Sequence, residues 1–334
     1  MSMKKQYGQP KDNYHLKIML KSAAVFIVCL FLTLVCLVPV YLIVVNATRE
    51  SNDIAAKPAM FWFEGSLADN WNTLMGNIDG QIEEINAMVG QIDENGNEYT
   101  QGRADADIRA VENVATAYSK AFNVLKGYLN SLIIAGSTTL LTVFFSAMTA
   151  YGLTVYDFKL RGAAYTFIIA VMMIPVQVSS AGFVRFMYQL GLINNFIPLI
   201  VPAIAAPAVI FFMKSYMKSS FPLDIVEASR IDGCGEYRTF LTIALPMMKP
   251  AIAVQAIFAF VANWNNYYTQ NMILKNPNMA TIPIMISKVL GLDRYYDYGV
   301  NYLCVVLSIL PIIIIYFILS KFIIAGVALG GVKE

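Results

Sequence analysis

Apolar residues gather along this chain into six runs that contain no charged side chain: Ser22 to Val45, Asn130 to Leu153, Gly162 to Gly182, Ile193 to Met213, Pro250 to Thr269 and Tyr302 to Ser320. A helix rising 1.5 Å per residue needs about 20 apolar residues to cross a bilayer, so each run is long enough for one crossing. The pattern predicts an all-α membrane protein with six transmembrane helices. A long polar stretch, Asn46 to Lys126, separates the first run from the second. Within it Ile82, Ile85, Met88, Val89 and Ile92 recur at helical spacing, as do Ile108, Val111, Val114 and Tyr118, with the polar run Asp93 to Glu98 between them. That spacing predicts a helical hairpin standing outside the membrane. The acidic run does not complete the spacing of an EF-hand calcium loop.

Composition agrees with the pattern. Of 334 residues, 57% are hydrophobic and 14% charged, against about 25% charged in soluble domains. An ordinary soluble enzyme and a disordered chain are excluded. The net charge of +2 supplies no field for nucleic acid. Its distribution says more, because cytoplasmic loops favour Lys and Arg. The N-terminal tail has Lys4, Lys5, Lys11, Lys17 and Lys21 against Asp12, and no small-residue cleavage site follows the first run. Lys159 and Arg161 follow the second run, and Lys214, Lys218, Arg230, Arg238 and Lys249 follow the fourth. Asn46 to Lys126 holds 13 acids and 6 bases. Both termini are therefore expected in the cytoplasm and the acidic stretch outside, with Gln270 to Asn301 outside as well.

Several chemistries are absent. The sole histidine, His15, lies in the polar tail, so a Ser/His/Asp triad or a histidine metal site within the membrane is excluded. Cys29, Cys36, Cys234 and Cys304 show no CxxC spacing, and no Walker A pattern occurs. The runs lack the paired charges or proton-relay acids that an autonomous channel or secondary transporter would need.

The loop between the fourth and fifth runs carries the most specific signal. Pro222 and Asp224 open a short helix, with Glu227 placed as in a capping box. Gly233 and Gly235 stop it. Tyr237, Phe240, Leu241 and Ala244 outline a second helix that Pro246 ends. The pair would form a rigid knob on the cytoplasmic face, either resting on the lipid or docking a partner.

Glu227, Ala228, Asp232, Gly233, Phe240, Ile243, Leu245 and Pro246 fall on the pattern of the EAA loop of ABC importer permeases, with Ser229 and Cys234 as departures to other small residues. Further matching pieces are Asn130-Ser131, Ala150-Tyr151-Gly152-Leu153, Met173-Ile174-Pro175, Gly191-Leu192, Trp264-Asn265, Pro311 and the tail Gly330-Gly331-Val332-Lys333. The chain resembles the maltose-transporter type of carbohydrate importer permease over Ser22 to Val45 and from about Asn130 onward; the insertion around 80–120 departs from the family.

The resemblance implies a type I ABC importer permease in the cell membrane. It implies a cytoplasmic tail (1–21), a first span (22–45), an extracellular segment with the hairpin (46–126), a core of five spans (127–326) containing the coupling loop (221–249), and a cytoplasmic tail (327–334). It further implies a second homologous permease, two ATPase subunits that carry ATP and magnesium, an extracellular sugar-binding protein and a sugar substrate. This chain would bind no cofactor and catalyse nothing itself. Glu227, Ala228, Ser229, Asp232, Gly233, Phe240, Leu245 and Pro246 would form the ATPase-coupling surface, and Glu227 can be both helix cap and coupling contact.

For the sugar path, Trp264, Asn265, Asn266 and Tyr267 place amides beside aromatic rings at the end of a span, as a sugar requires. With Tyr268 they equally suit an interfacial aromatic belt. Gln177 and Tyr151 are further candidates, although Gln177 can instead bond a neighbouring helix. Asn276, Asn278, Tyr295 and Tyr296 lie in the outer segment that would face the binding protein.

Overall fold

The computed structural model describes residues 13–92, 97–292 and 296–330, with the backbone alone over 13–17, 176–178 and 322–330. Apart from an isolated bridge between Ile92 and Glu98, the described residues are helical or irregular. Helix α1 (Asn13–Asn46) is followed by four shorter helices, α2 (Ser51–Ala56), α3 (Leu67–Met75), α4 (Asp79–Ala87) and α5 (Gln101–Ala121). Helix α6 (Val124–Val155) continues almost in line with α5. The break falls at Asn123, whose side chain accepts from the Lys126 amide and caps α6.

Helix α6 is the central post. Its buried positions Gly127, Ser131, Ala135, Thr138, Thr142, Ser146 and Ala150 recur every three or four residues and are all small, so neighbouring backbones come close. Against it pack α10 (Pro207–Ser220) and α14 (Lys249–Trp264), and α14 also packs against α17 (Tyr298–Gly330).

The expected crossings are differently built. Among the described residues, four helical segments are long and apolar enough to cross a membrane, or five if the bent pair Glu236–Met247 and Lys249–Trp264 counts as one. The third run is split into α7 (Arg161–Met172) and α8 (Val176–Gln189), because Pro175 disfavours helical backbone at Ile174. The fourth run is α9 (Ile197–Ile200), a 3-10 turn (Val201–Ile204) and α10, interrupted at Pro202 and Pro207. Irregular backbone at membrane depth needs protein partners. Thr138 and Thr142 of α6 supply them, donating to the carbonyls of Leu199 (3.4 Å) and Ala203 (3.2 Å).

The predicted hairpin is α4 and α5, joined through Ile85, Tyr99 and Ala104, with Val89, Ile108 and Val111 packed against them. Met88 and Ile92, expected on its apolar face, are exposed. Tyr118 has another job. It is fully buried, and its hydroxyl joins the Asp297 backbone and Asn301 Oδ1, tying α5 to the start of α17.

A compact cap forms around buried Arg49, which reaches Glu64, Asn46 Oδ1 and the carbonyls of Asp53 and Lys57. Gly299 sits directly beneath it. A Cβ there would lie 2.5 Å from the Arg49 carbonyl and 2.6 Å from Asn70 Nδ2. Gly299→Ala is therefore expected to cost about 1 to 3 kcal/mol by overpacking, seen as a lower thermal unfolding midpoint in detergent. An unchanged midpoint would mean that the cap yields.

Candidate functional site

The knob consists of α11 (Asp224–Ile231) and α12 (Glu236–Thr239), continuing through a wide π turn (Phe240–Ala244) into α13 (Leu245–Met247). The chain turns 79° before α14. The expected stop at Pro246 thus comes two residues later, at Met248. The wide turn lies just ahead of Pro246, which has no N–H to donate to a helical carbonyl. The expected capping box is also absent: Leu223 holds the cap position without a side-chain bond, and Asp224 is already the first helical residue. Glu227 and Ala228 instead face outward, and Glu227 makes no ion pair or side-chain hydrogen bond among the described residues.

The corner itself is tightly specified. Gly233 has φ +76°; its N–H donates to the Arg230 carbonyl (3.0 Å) and that of Cys234 to Ser229 (2.9 Å). This is a Schellman termination, with glycine at the left-handed position. Ser229, where the family pattern has Ala, is buried; its Oγ lies 3.1 Å from Thr239 Oγ1 and ties the two short helices together. Arg230 Nε donates to Glu236 Oε1 at 2.6 Å and Tyr156 OH donates to Glu236 Oε2 at 2.8 Å. The Arg230 and Tyr156 bonds hold the Glu236 carboxyl below the usual glutamate range. The bridge is therefore complete above that range and is lost only as pH falls through the depressed pKa.

Beneath the knob, Phe240, Ala244, Met248 and Val226 join Met213 and Met217 of α10 and Ala147, Ala150 and Tyr151 of α6 in one buried cluster. The outer face of the knob is unusually apolar, with Ile231 86% and Tyr237 64% exposed.

A second feature is a cavity of about 320 Å³ deeper in the core. Asn263, Asn266, Thr269, Gln270, Ser179 and Ser180 supply its polar groups, and Ile134, Phe183, Pro198, Leu199 and Pro202 its apolar walls. It exists because α14 stops at Trp264 and α15 (Tyr267–Ile273) restarts after Asn266, whose Oδ1 accepts from the Thr269 amide. Gln270 is buried between the Asn263 carbonyl and the Thr281 hydroxyl.

The sequence pattern of the binding-protein-dependent transport system inner membrane component family matches residues 142–328, more than half of the chain and all of the knob. The chain belongs to this family. The permease is 34% identical over 233 residues to the arabinooligosaccharides transport system permease protein AraQ of Bacillus subtilis, covering 69% of this chain and 81% of that one. It is 29% identical to the melibiose/raffinose/stachyose import permease protein MelC of the same organism, covering 68% and 82%. A crystal structure of a bacterial ABC transporter that imports the acidic polysaccharide alginate contains a chain of the same fold, with TM-score 0.65 and 17% identity, covering 94% of the permease and 99% of that chain.

The permease scatters the residues singled out for a sugar path. Of those whose side chains are described, Asn266 alone lines the cavity. Trp264 is 1% exposed, stacked on Phe260 with ring centroids 5.6 Å apart, and its Nε1 donates to the Ser308 carbonyl at 3.0 Å. It is a core residue of the α14–α17 contact, neither open to a sugar nor part of an interfacial belt. Asn265 is the exposed cap of α14, and Tyr267 is exposed and accepts from Asn271. Tyr151 lies under the knob, packed on Phe240, with its hydroxyl toward Glu236. The Gln177 side chain and all of Tyr295 lie outside the described residues. Asn276 caps the turn that holds Asn278, Asn278 accepts from Lys126, and Tyr296 pairs with Tyr298. Asn130 and Ser131 fasten this loop to α6, through the carbonyls of Asn278 and Ala280 and the Ile282 amide.

The sequence pattern does not single out Asn263, Thr269 and Gln270, although Asn263 and Gln270, two amide side chains seven residues apart at the end of an apolar run, are the signal it carries.

Proposed function

We propose that the permease is one membrane subunit of an ATP-driven importer for a sugar or oligosaccharide, working with a second permease, two ATPases that bind ATP and magnesium, and an external sugar-binding protein. The observation that carries this reading is the knob. A corner locked by Gly233, Ser229 and Glu236 presents an outward carboxylate at Glu227 beside exposed Ile231 and Tyr237, which is a docking face for an ATPase with a basic residue. Glu236, bonded to Tyr156 at the end of α6, and the apolar cluster of Val226, Phe240, Ala244 and Met248 with Met213 and Met217 fasten it to α6 and α10, so a push on the knob moves the core as a rigid body. Helices α7 and α8 together make the third of six crossings, with both termini in the cytoplasm and the α2–α5 cap outside.

Sugar would pass the cavity, where the Asn266 amide nitrogen has no hydrogen-bond partner among the described residues. The names of the relatives support the substrate class.

The test is affinity purification of the tagged chain in mild detergent, followed by mass spectrometry. Recovery of a second permease, an ATPase and a binding protein is expected, and a chain that purifies alone and still moves solute in liposomes would overturn the reading. Asn266→Ser keeps the cap acceptor for Thr269 but removes the amide donor. It is expected to lower uptake severalfold with ATPase association unchanged; unchanged uptake and sugar preference would remove the cavity from the path.

A further inference from the structure

The loop from α2 to α3 contains Pro58-Ala59-Met60-Phe61-Trp62-Phe63, without a charge, between Lys57 and Glu64. Phe61, Trp62 and Phe63 are 51%, 73% and 59% exposed, an unusual fate for three consecutive aromatic residues in a folded cap. Both ends of the loop are clamped high. Pro58 O and Lys57 O accept from Asn46 and Arg49, while the amides of Glu64 and Ser66 donate to Thr48.

The tip instead hangs down beside α1. Tyr41 OH donates to the Phe61 carbonyl at 2.7 Å, and the Phe63 ring meets the Tyr41 ring edge-on at 5.8 Å. Tyr41 precedes the end of α1 at Asn46 by five residues, so at 1.5 Å per residue the tip reaches about 7 Å below that end.

At that level the side of α1 is itself apolar and exposed, at Leu37, Val40 and Val44. The exposed aromatic tip meets this side of α1 at Tyr41. We propose that Met60 to Phe63 is an interfacial membrane anchor, with Trp62 seated at the boundary of headgroups and acyl chains and the adjoining cap thereby held against the bilayer. A depth of about 5 to 10 Å is where interfacial segments lie, and Trp and Tyr favour it because their rings are apolar and their N–H and O–H groups remain wet. Backbone groups of a short irregular loop stay hydrated there, as they would not in the hydrocarbon centre. This rests on α1 being a span.

The chain has three tryptophans, so the contribution of Trp62 is obtained as the emission difference between wild type and Trp62→Phe, each in its assembled complex in lipid nanodiscs. Lipids brominated near the headgroup end of the acyl chain are expected to remove most of this difference signal, and lipids brominated near the terminal methyl to remove less. Quenching by aqueous iodide with none by either lipid would place Trp62 in water and overturn the anchor. Quenching by neither would place it under another subunit and also overturn it. In the Trp62→Phe background, Phe31→Trp reports on α1 separately: strongest quenching by the deep-brominated lipid shows that α1 spans, whatever Trp62 does.

Discussion

Trp264→Ala is expected to unfold the permease far more readily than wild type, by about 3 to 5 kcal/mol, the cost of deleting a large aromatic side chain from a packed core. The indole fills the space between Phe260, Tyr128 and α17, and the neighbouring turns are too closely packed to collapse into the void. Trp264→Phe keeps the stacking and loses mainly the bond to Ser308, so about 1 kcal/mol is expected. Thermal unfolding of the purified complex ranks the two variants. If Trp264→Ala instead left stability unchanged and altered sugar preference, the indole would face the path, and its burial against α17 would not describe the working protein.

Gly233→Pro is expected to abolish uptake while leaving the membrane core assembled. Proline holds φ near −65°, which the observed +76° excludes, and it has no N–H for the Arg230 carbonyl. The α11–α12 corner would open and turn the outward face of Glu227 away. Gly233→Ala is a graded control: nothing lies within 4 Å of its Cβ, so only the left-handed backbone is penalised, by about 1 to 2 kcal/mol, and most uptake survives. Uptake and ATP hydrolysis measured on the same proteoliposomes separate coupling from assembly. Normal uptake by the proline variant would sink the coupling role of the knob, whereas a collapsed complex would show that Gly233 serves folding of the core.

These two residues also mark where reading the sequence succeeds and where it stops. Gly233 was legible because its role is local: a glycine after a short amphipathic helix is the residue that can take the left-handed position, and Arg230 and Ser229 lie within four residues of it. Trp264 beside two asparagines looks alike whether the ring faces lipid, sugar or protein. The answer lies in Ser308 and Phe260, and Ser308 is 44 residues away. Glu227 shows the same limit on a smaller scale, since a shift of one residue at the start of α11 turned a cap into a free outward carboxylate.

The sequence by itself determined that this is a helical membrane protein, where its apolar segments lie, and that a specific two-helix knob interrupts them. Those properties follow from hydrophobic length, from glycine and proline, and from spacing within one or two turns. The prolines that break the third and fourth segments are in the sequence too, but only the tertiary structure decided that threonines of α6 satisfy the backbone of the fourth. It also decided that the polar cavity gathers Asn263, Asn266, Thr269 and Gln270 with Ser179 and Ser180, and that the α2–α5 cap closes over Gly299. Each of these depends on which face of one helix meets a helix distant in sequence, and hydrophobicity cannot choose that face where lipid and protein interior are equally apolar.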